Sequence, residues 1–179
     1  MVDLLTIHFF FAQKMNKLIV LSGVPGSGKS YFSAALKRAI KKHVYIVSSD
    51  ELRLNILGNQ QDLSEDELVW KIYYSLVEAY SIDKNGIVIL DATHSKKVYR
   101  LDNIMPFRHL YDQLDLVCFR LDKELVLEQN KDRENPIPKE SLLRLIDQFE
   151  MPDDEERNFY DHVDIIRDHE TDKIIKRYL

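Results

Sequence analysis

Four residues near the start of the chain have the types and spacing needed to hold a phosphate. Gly23, Gly28, Lys29 and Ser30 satisfy G-x-x-x-x-G-K-[ST] within the stretch GVPGSGKS. The chain has five glycines, and three of them, Gly23, Gly26 and Gly28, fall in this loop. Glycine is needed there because backbone N–H groups wrap a phosphate only where no side chain intrudes. The predicted cofactor contacts run through Gly23, Pro25, Gly26, Ser27, Gly28, Lys29, Ser30 and Tyr31. Lys29 would bridge the β- and γ-phosphates of a nucleoside triphosphate and the Ser30 hydroxyl would bind Mg²⁺, with the helix N-terminus adding a favourable dipole. A motor, a switch and a transferase would all satisfy this loop, so other residues must separate them.

The acidic candidates are Asp50 in SSDELR and Asp91 in ILDATH. If 51 onward is helical, Asp50 and Arg53 lie one turn apart and face the same ligand. The carboxylate would take the proton of an attacking hydroxyl, and Arg53 would hold an anion on the acceptor. The competing reading makes Ser49 or Asp50 a helix cap and Arg53 a solvated side chain. Asp91 ends an apolar run, where a carboxylate helps hold Mg²⁺ together with Ser30; its competing role is also a turn or cap, with Ser95 the better cap for the helix that follows. His94 would touch an acceptor or simply pack. Further on, ENPIP must end a helix, because a residue before proline avoids the helical region, while Pro138 suits the first turn of the next. Lys131 and Arg133 therefore sit at a helix end and loop, either as a lid neutralising charge on a transferred phosphoryl group or as surface charges.

Two alternatives lack their motifs. NKDR at 130–133 and DKNG at 83–86 are near misses of a guanine-reading N-K-x-D, and both fall at the wrong place relative to the strands. After Asp91 come Thr93 and His94 with no Glu to polarise water, which leans away from hydrolysis.

The elements that must position these residues alternate. KLIVLSG (17–23), VYIVSS (44–49), GIVILDAT (86–93), LDLVCFRL (114–121) and HVDIIRD (162–168) are short β-branched apolar runs, as expected of strands covered on both faces. Helices are predicted over 29–41, with Phe32, Leu36 and Ile40 on one stripe, and from a Ser64/Glu67 capping box to about Tyr80. Others are predicted over about 96–110, 122–134 and 139–149. This order predicts right-handed crossovers and a parallel sheet in three layers, with ligands at the carboxyl ends of the strands.

At 179 residues the chain is one domain of ordinary size. A net charge of −5 argues against coating nucleic acid through bulk charge. Lys96, Lys97, Arg100 and Arg108 are expected to form a modest basic face, against the strongly acidic EMPDDEERNFYDHVD. The single cysteine, Cys118, excludes an intrachain disulfide and fits a reducing cytoplasm. The apolar start MVDLLTIHFFFAQK is interrupted by His8 and too short to span a bilayer. Residues 1–15 are read as an extension, with translation starting at Met15 and 1–14 dispensable, before a single domain over 16–179.

Taken in order, GVPGSGKS, SSDELR, ILDATH and EQNKDRENPIPKESLLRLIDQFE resemble the P-loop kinases of the bacteriophage-type polynucleotide 5′-kinase group, over about residues 16–168. The resemblance implies a three-layer, adenylate-kinase-like P-loop NTPase fold with a five-stranded parallel sheet and a short helical lid at about 128–138. It implies Lys29 and Ser30 at ATP·Mg²⁺, Asp50 as general base, Arg53 on the acceptor phosphate and Arg133 as lid arginine. Gln129 and Ser49 stand where nucleic-acid kinases tend to carry further arginines, which weakens a nucleic-acid acceptor. In related small kinases the acceptor pocket is built at about 51–86, which here holds Trp70, Tyr73, Tyr74 and Tyr80. One ring would stack on a nucleobase; core packing is the stronger reading, beside a stripe of Leu68, Ile72, Leu76 and Ala79. The expectation is an ATP-dependent kinase with Lys29, Asp50 and Arg133 catalytic, acting on a polynucleotide 5′-hydroxyl or nucleoside-like molecule. The alternatives are a small-molecule kinase of the antibiotic or nucleotide-sugar sort, or a non-catalytic ATP-binding regulatory module.

Overall fold

Isoleucine, valine and leucine alternate between two buried surfaces along each central strand, and this pattern sets the architecture. The computed structural model describes residues 15–133, 135–167 and 170–179. Strands β1 (Lys17–Ser22), β2 (Val44–Ser48), β3 (Ile87–Asp91), β4 (Gln113–Phe119) and β5 (His162–Ile166) form one parallel sheet in the order β2-β3-β1-β4-β5. Leu18 and Val20 of β1 face one apolar layer with Val88, Leu90, Leu114 and Leu116, closed by Tyr73, Val77 and Tyr160. Ile19 and Leu21 face the other, with Ile89 and Val117, closed by Phe32, Leu36 and Ile175. Both faces are covered, as a parallel sheet requires. The fold is the three-layer P-loop kinase-like α/β fold expected from the sequence.

The helices are α1 (Lys29–Ala39), α2 (Ser49–Leu57), α3 (Asp66–Tyr80), α4 (Lys97–Arg100), α5 (Lys123–Lys131), α6 (Lys139–Asp147), α7 (Asp154–Phe159) and α8 (Thr171–Ile175). α5 and α6 make a separate arm with its own small core, in which Val126 and Leu142 enclose Val24 of the loop after β1.

Several expectations are corrected. The helix expected over 96–110 is only α4, followed by turns and a 3₁₀ segment, Met105–Leu110, with Pro106 at its start; proline cannot donate the N–H a continuing helix needs. Ser95 does not cap α4. The Lys97 N–H is taken instead by the Glu150 carboxylate at 2.7 Å. The Ser64/Glu67 box does not form: Ser64 N–H bonds the Asp62 carboxylate at 2.8 Å in a turn, and α3 starts two residues later. The buried stripe of α3 is Val69, Tyr73 and Val77, one residue over from the expected one, and Leu68 and Ala79 are exposed. The aromatic residues of α3 pack into the core, filling the space between α3 and the sheet.

The basic face is also absent. Arg100 is fully buried, Lys97 pairs with Asp153 and Glu155, and Arg108 pairs with Asp161. The acidic segment neutralises the basic one because the chain folds them together. Residues 1–14 of the N-terminal extension, and Asp168 at the end of the fifth expected strand, lie outside the described residues. Among the described residues no helix is long and apolar enough to cross a membrane.

Candidate functional site

The carboxyl ends of β1, β2 and β3 open into a cleft of about 820 Å³, within the size range of small-molecule sites. Its floor is formed by Pro25, Gly26 and Gly28 of the phosphate loop, while Gly23 and Ser27 of the predicted contacts are buried and do not line it. Gly26 and Gly28 have φ of 82° and 91°, a backbone region that residues with a Cβ rarely adopt. A Cβ at Gly23 would lie 2.5 Å from Ser27 Oγ and 2.9 Å from Phe119 Cβ, so the loop can lie this close to β4 only with glycine there.

Lys29 is buried, and its ammonium donates to the carbonyls of Gly23 at 2.8 Å and Val24 at 3.0 Å. Burial pulls its pKa down to about 8, against the nearby charges of Asp91 and Asp50 that favour the ammonium. Asp91, at the end of β3, is likewise buried, and burial raises its pKa against the opposing effects of the Lys29 charge and hydrogen bonds from the Ser30 and Ser33 hydroxyls. Ser33 Oγ stands 3.4 Å from Asp91 Oδ2. Ser30 and Asp91 thus place two hard oxygen donors side by side, which fits Mg²⁺ when phosphate and water oxygens supply the rest of its shell. No group of three or more His, Cys, Asp or Glu that could hold a metal occurs among the described residues, so these donors would bind the ion only with a phosphate present. Pro25, Ser30 and Tyr31 line the cleft, and Tyr31 is 60% exposed there.

Across the cleft, Ser48 rather than Ser49 or Asp50 caps α2, its hydroxyl accepting from Glu51 N–H at 3.3 Å. Asp50 is thereby free of capping, and its carboxylate lines the cleft with its side chain 54% exposed. Arg53 is not solvated. Its guanidinium sits 2.5 Å from Asp66 Oδ1, 3.7 Å from Asp50 Oδ1 and 5.7 Å from the Trp70 ring, while Trp70 Nε1 donates to the other Asp66 oxygen at 2.9 Å. Arg53 and Trp70 therefore clasp α2 to α3 through Asp66. Among the described residues Arg53 Nε has no hydrogen-bond partner.

The lid side is held by Asn130, whose side chain donates to Ile137 O at 2.8 Å and accepts from Ile137 N–H at 3.0 Å. That pair of bonds fixes the loop between α5 and α6 and brings half-buried Arg133 and Gln129 to the cleft wall. Lys131 is exposed and does not line it. At the mouth, Gln61 Nε2 donates to Asn135 O at 3.3 Å, so the loop after α2 and the lid loop touch.

His94 is buried behind the cleft and does not line it, and burial lowers its pKa to about 4, leaving the ring neutral. Its φ of 36° makes it the one non-glycine residue with positive φ among the described residues. The sequence reading missed Ser33, whose signal is its place one helical turn after Lys29, and Gln60, Gln61 and Asn135, which carry no local motif.

A family model described as chromatin associated protein KTI12 matches residues 16–176. Protein kti12 of Schizosaccharomyces pombe is 27% identical over 147 residues, which is 75% of this chain and 52% of that protein. The chain spans about half the length of the curated relatives it matches. The crystal structure of Chaetomium thermophilum Kti12 in complex with ADP-AlF3 superposes with a TM-score of 0.66 at 19% identity, covering 90% of this chain and 96% of that one. A gluconokinase from Sinorhizobium meliloti 1021 superposes with a TM-score of 0.58 at 19% identity, covering 93% and 91%. The broader expectation of a P-loop kinase-like protein holds, and the family model that matches is that of KTI12. The match runs from the residue before β1 to the last helical turn, and the chain belongs to the KTI12 family.

Proposed function

We propose that this chain is an ATP-binding module that holds ATP·Mg²⁺ in the cleft and works as a nucleotide-dependent regulatory unit rather than a dedicated phosphotransferase. The observation that carries this reading is the fate of Arg53. An acceptor phosphate needs a cation to receive it, and the guanidinium on that side of the cleft is already paired with Asp66 and stacked on Trp70. The donor half is complete by comparison: a glycine-built cradle, Lys29 at its centre, and Ser30 beside Asp91. The complex of the Chaetomium thermophilum relative with ADP-AlF3 supports nucleotide binding by this chain. The buried free thiol of Cys118 supports a reducing compartment.

Transfer to a hydroxyl is the second reading, favoured by the open position of Asp50 on the cleft wall. In that case the carboxylate takes the hydroxyl proton as the acceptor oxygen bonds the γ-phosphorus, the bond from that phosphorus to the β–γ bridging oxygen breaks, and ADP leaves. The acceptors to try are nucleic-acid 5′-hydroxyls, nucleosides and small hydroxyl-bearing molecules. One experiment separates the two. The protein and its Asp50→Asn variant are incubated with γ-labelled ATP and these acceptors, and ATP affinity is measured in parallel. A regulatory module binds ATP·Mg²⁺ and labels none of them; label on an acceptor that disappears in Asp50→Asn while ATP affinity stays would establish the kinase.

A further inference from the structure

Arg100 is the largest side chain that is fully buried among the described residues, and its role reaches past its own ion pair. Glu156, 1% exposed, receives Nε at 2.6 Å and Nη2 at 3.1 Å. The remaining donor, Nη1, reaches the His94 carbonyl at 3.1 Å, which the Ser22 hydroxyl also bonds at 2.9 Å. His94 is the residue with φ of 36°, a conformation kept by a side-chain-bearing residue only when its surroundings hold it. Its ring is fixed too. Nδ1 faces the Leu21 carbonyl at 2.7 Å, and since a carbonyl only accepts, Nδ1 carries the proton. One residue earlier, the Thr93 carbonyl accepts from Gly23 N–H at 2.9 Å.

The turn after Asp91 is therefore tied, carbonyl by carbonyl, to the residues that begin the phosphate loop. The segment following the lid arm closes on the same turn: Glu150 N–H donates to Ser95 O at 2.9 Å, and the Phe149 ring lies 5.9 Å from the guanidinium. A buried ion pair is weak ground for stability by itself, because an apolar pair of similar shape often serves as well. An apolar pair would not hold the His94 carbonyl.

We propose that Arg100, oriented by Glu156, is a positioning residue that pins the 92–95 turn to the end of β1, and with it the carboxylate of Asp91 on the cleft wall beside the phosphate loop. The proposal rests on the reading that the cleft binds ATP·Mg²⁺, but its first test does not. The double variant Arg100→Met/Glu156→Leu keeps the volume without the charges, and Glu156→Gln keeps the shape if the double variant fails to fold. In the nucleotide-free protein, hydrogen exchange followed residue by residue should show the Gly23 amide exchanging at least tenfold faster in either variant, with the Leu116 and Val117 amides of β4 unchanged. Unchanged exchange at Gly23 in a folded variant would overturn the proposal. ATP binding is then titrated with Mg²⁺. The Mg²⁺ concentration for half-maximal effect should rise about tenfold while affinity in EDTA stays as in the wild type. Equal loss with and without Mg²⁺ would mean that the pair only holds the fold, and would also overturn it. A wild-type protein that binds no ATP would sink the reading of the cleft and leave the exchange result to decide the role of Arg100.

Discussion

Lys29 carries the sharpest consequence at the level of single residues. Its folded pKa of about 8 lies below the value of about 10.4 in an unfolded chain, so between these two the unfolded chain binds more protons. The nucleotide-free protein should therefore gain stability from this residue as pH rises through that window. Nucleotide binding has the opposite sign. Phosphates hold the ammonium charged, so above pH 8 the complex carries a proton that the free protein has lost, and affinity should fall by up to tenfold per pH unit. Calorimetric titration of ATP·Mg²⁺ from pH 7.5 to 9.5 checks this. A flat profile in the wild type, or the same slope in Lys29→Met, would exclude Lys29 as the titrating group. Arg53 shows the limit of reading roles from type and spacing. Asp-x-x-Arg is visible in the sequence, whereas its third member, Asp66, is thirteen residues further on and joins only because α3 packs against α2.

Among the elements, the arm of α5 and α6 depends on one side chain. Asn130 is buried and makes both bonds to Ile137, and each buried hydrogen bond contributes about 1 kcal/mol. Asn130→Ala should cost about 1–2 kcal/mol in thermal denaturation and make the α5–α6 loop the first point of cleavage in limited proteolysis; an unchanged cleavage pattern would contradict this role. Sheet, crossovers and phosphate loop were legible beforehand because β-branched runs and a glycine-rich turn are local signals, and the five strands appear with ends shifted by one or two residues where described. What was not legible is set at a distance. Glu150 replaces Ser95 at the start of α4 from fifty-three residues away, and Glu156 draws Arg100 inward from fifty-six. α7 was missed because its capping box, Asp153 with Glu156, sits inside a run of acids that reads as a solvated tail.

For the whole molecule, ligand linkage is the broadest test. A ligand at a hundred times its Kd stabilises a protein by about 2.7 kcal/mol, and in a domain of this size each kcal/mol moves Tm by roughly 2–4 °C. ATP·Mg²⁺ should therefore raise Tm by roughly 5–10 °C, and Lys29→Met should remove most of the rise. An equal rise in that variant would place the ligand elsewhere. The pairing of the basic segment with the acidic one compensates part of the acidic run's charge at the surface. The α2–α3 clasp has one more consequence. Trp70 is the only tryptophan in the chain, and it is packed beneath the Arg53 guanidinium with its indole N–H on Asp66. Intrinsic emission excited at the indole band therefore reports from a single known position directly behind Arg53 of the cleft wall, so an occupant that draws Arg53 away from Asp66 announces itself optically, with no label attached.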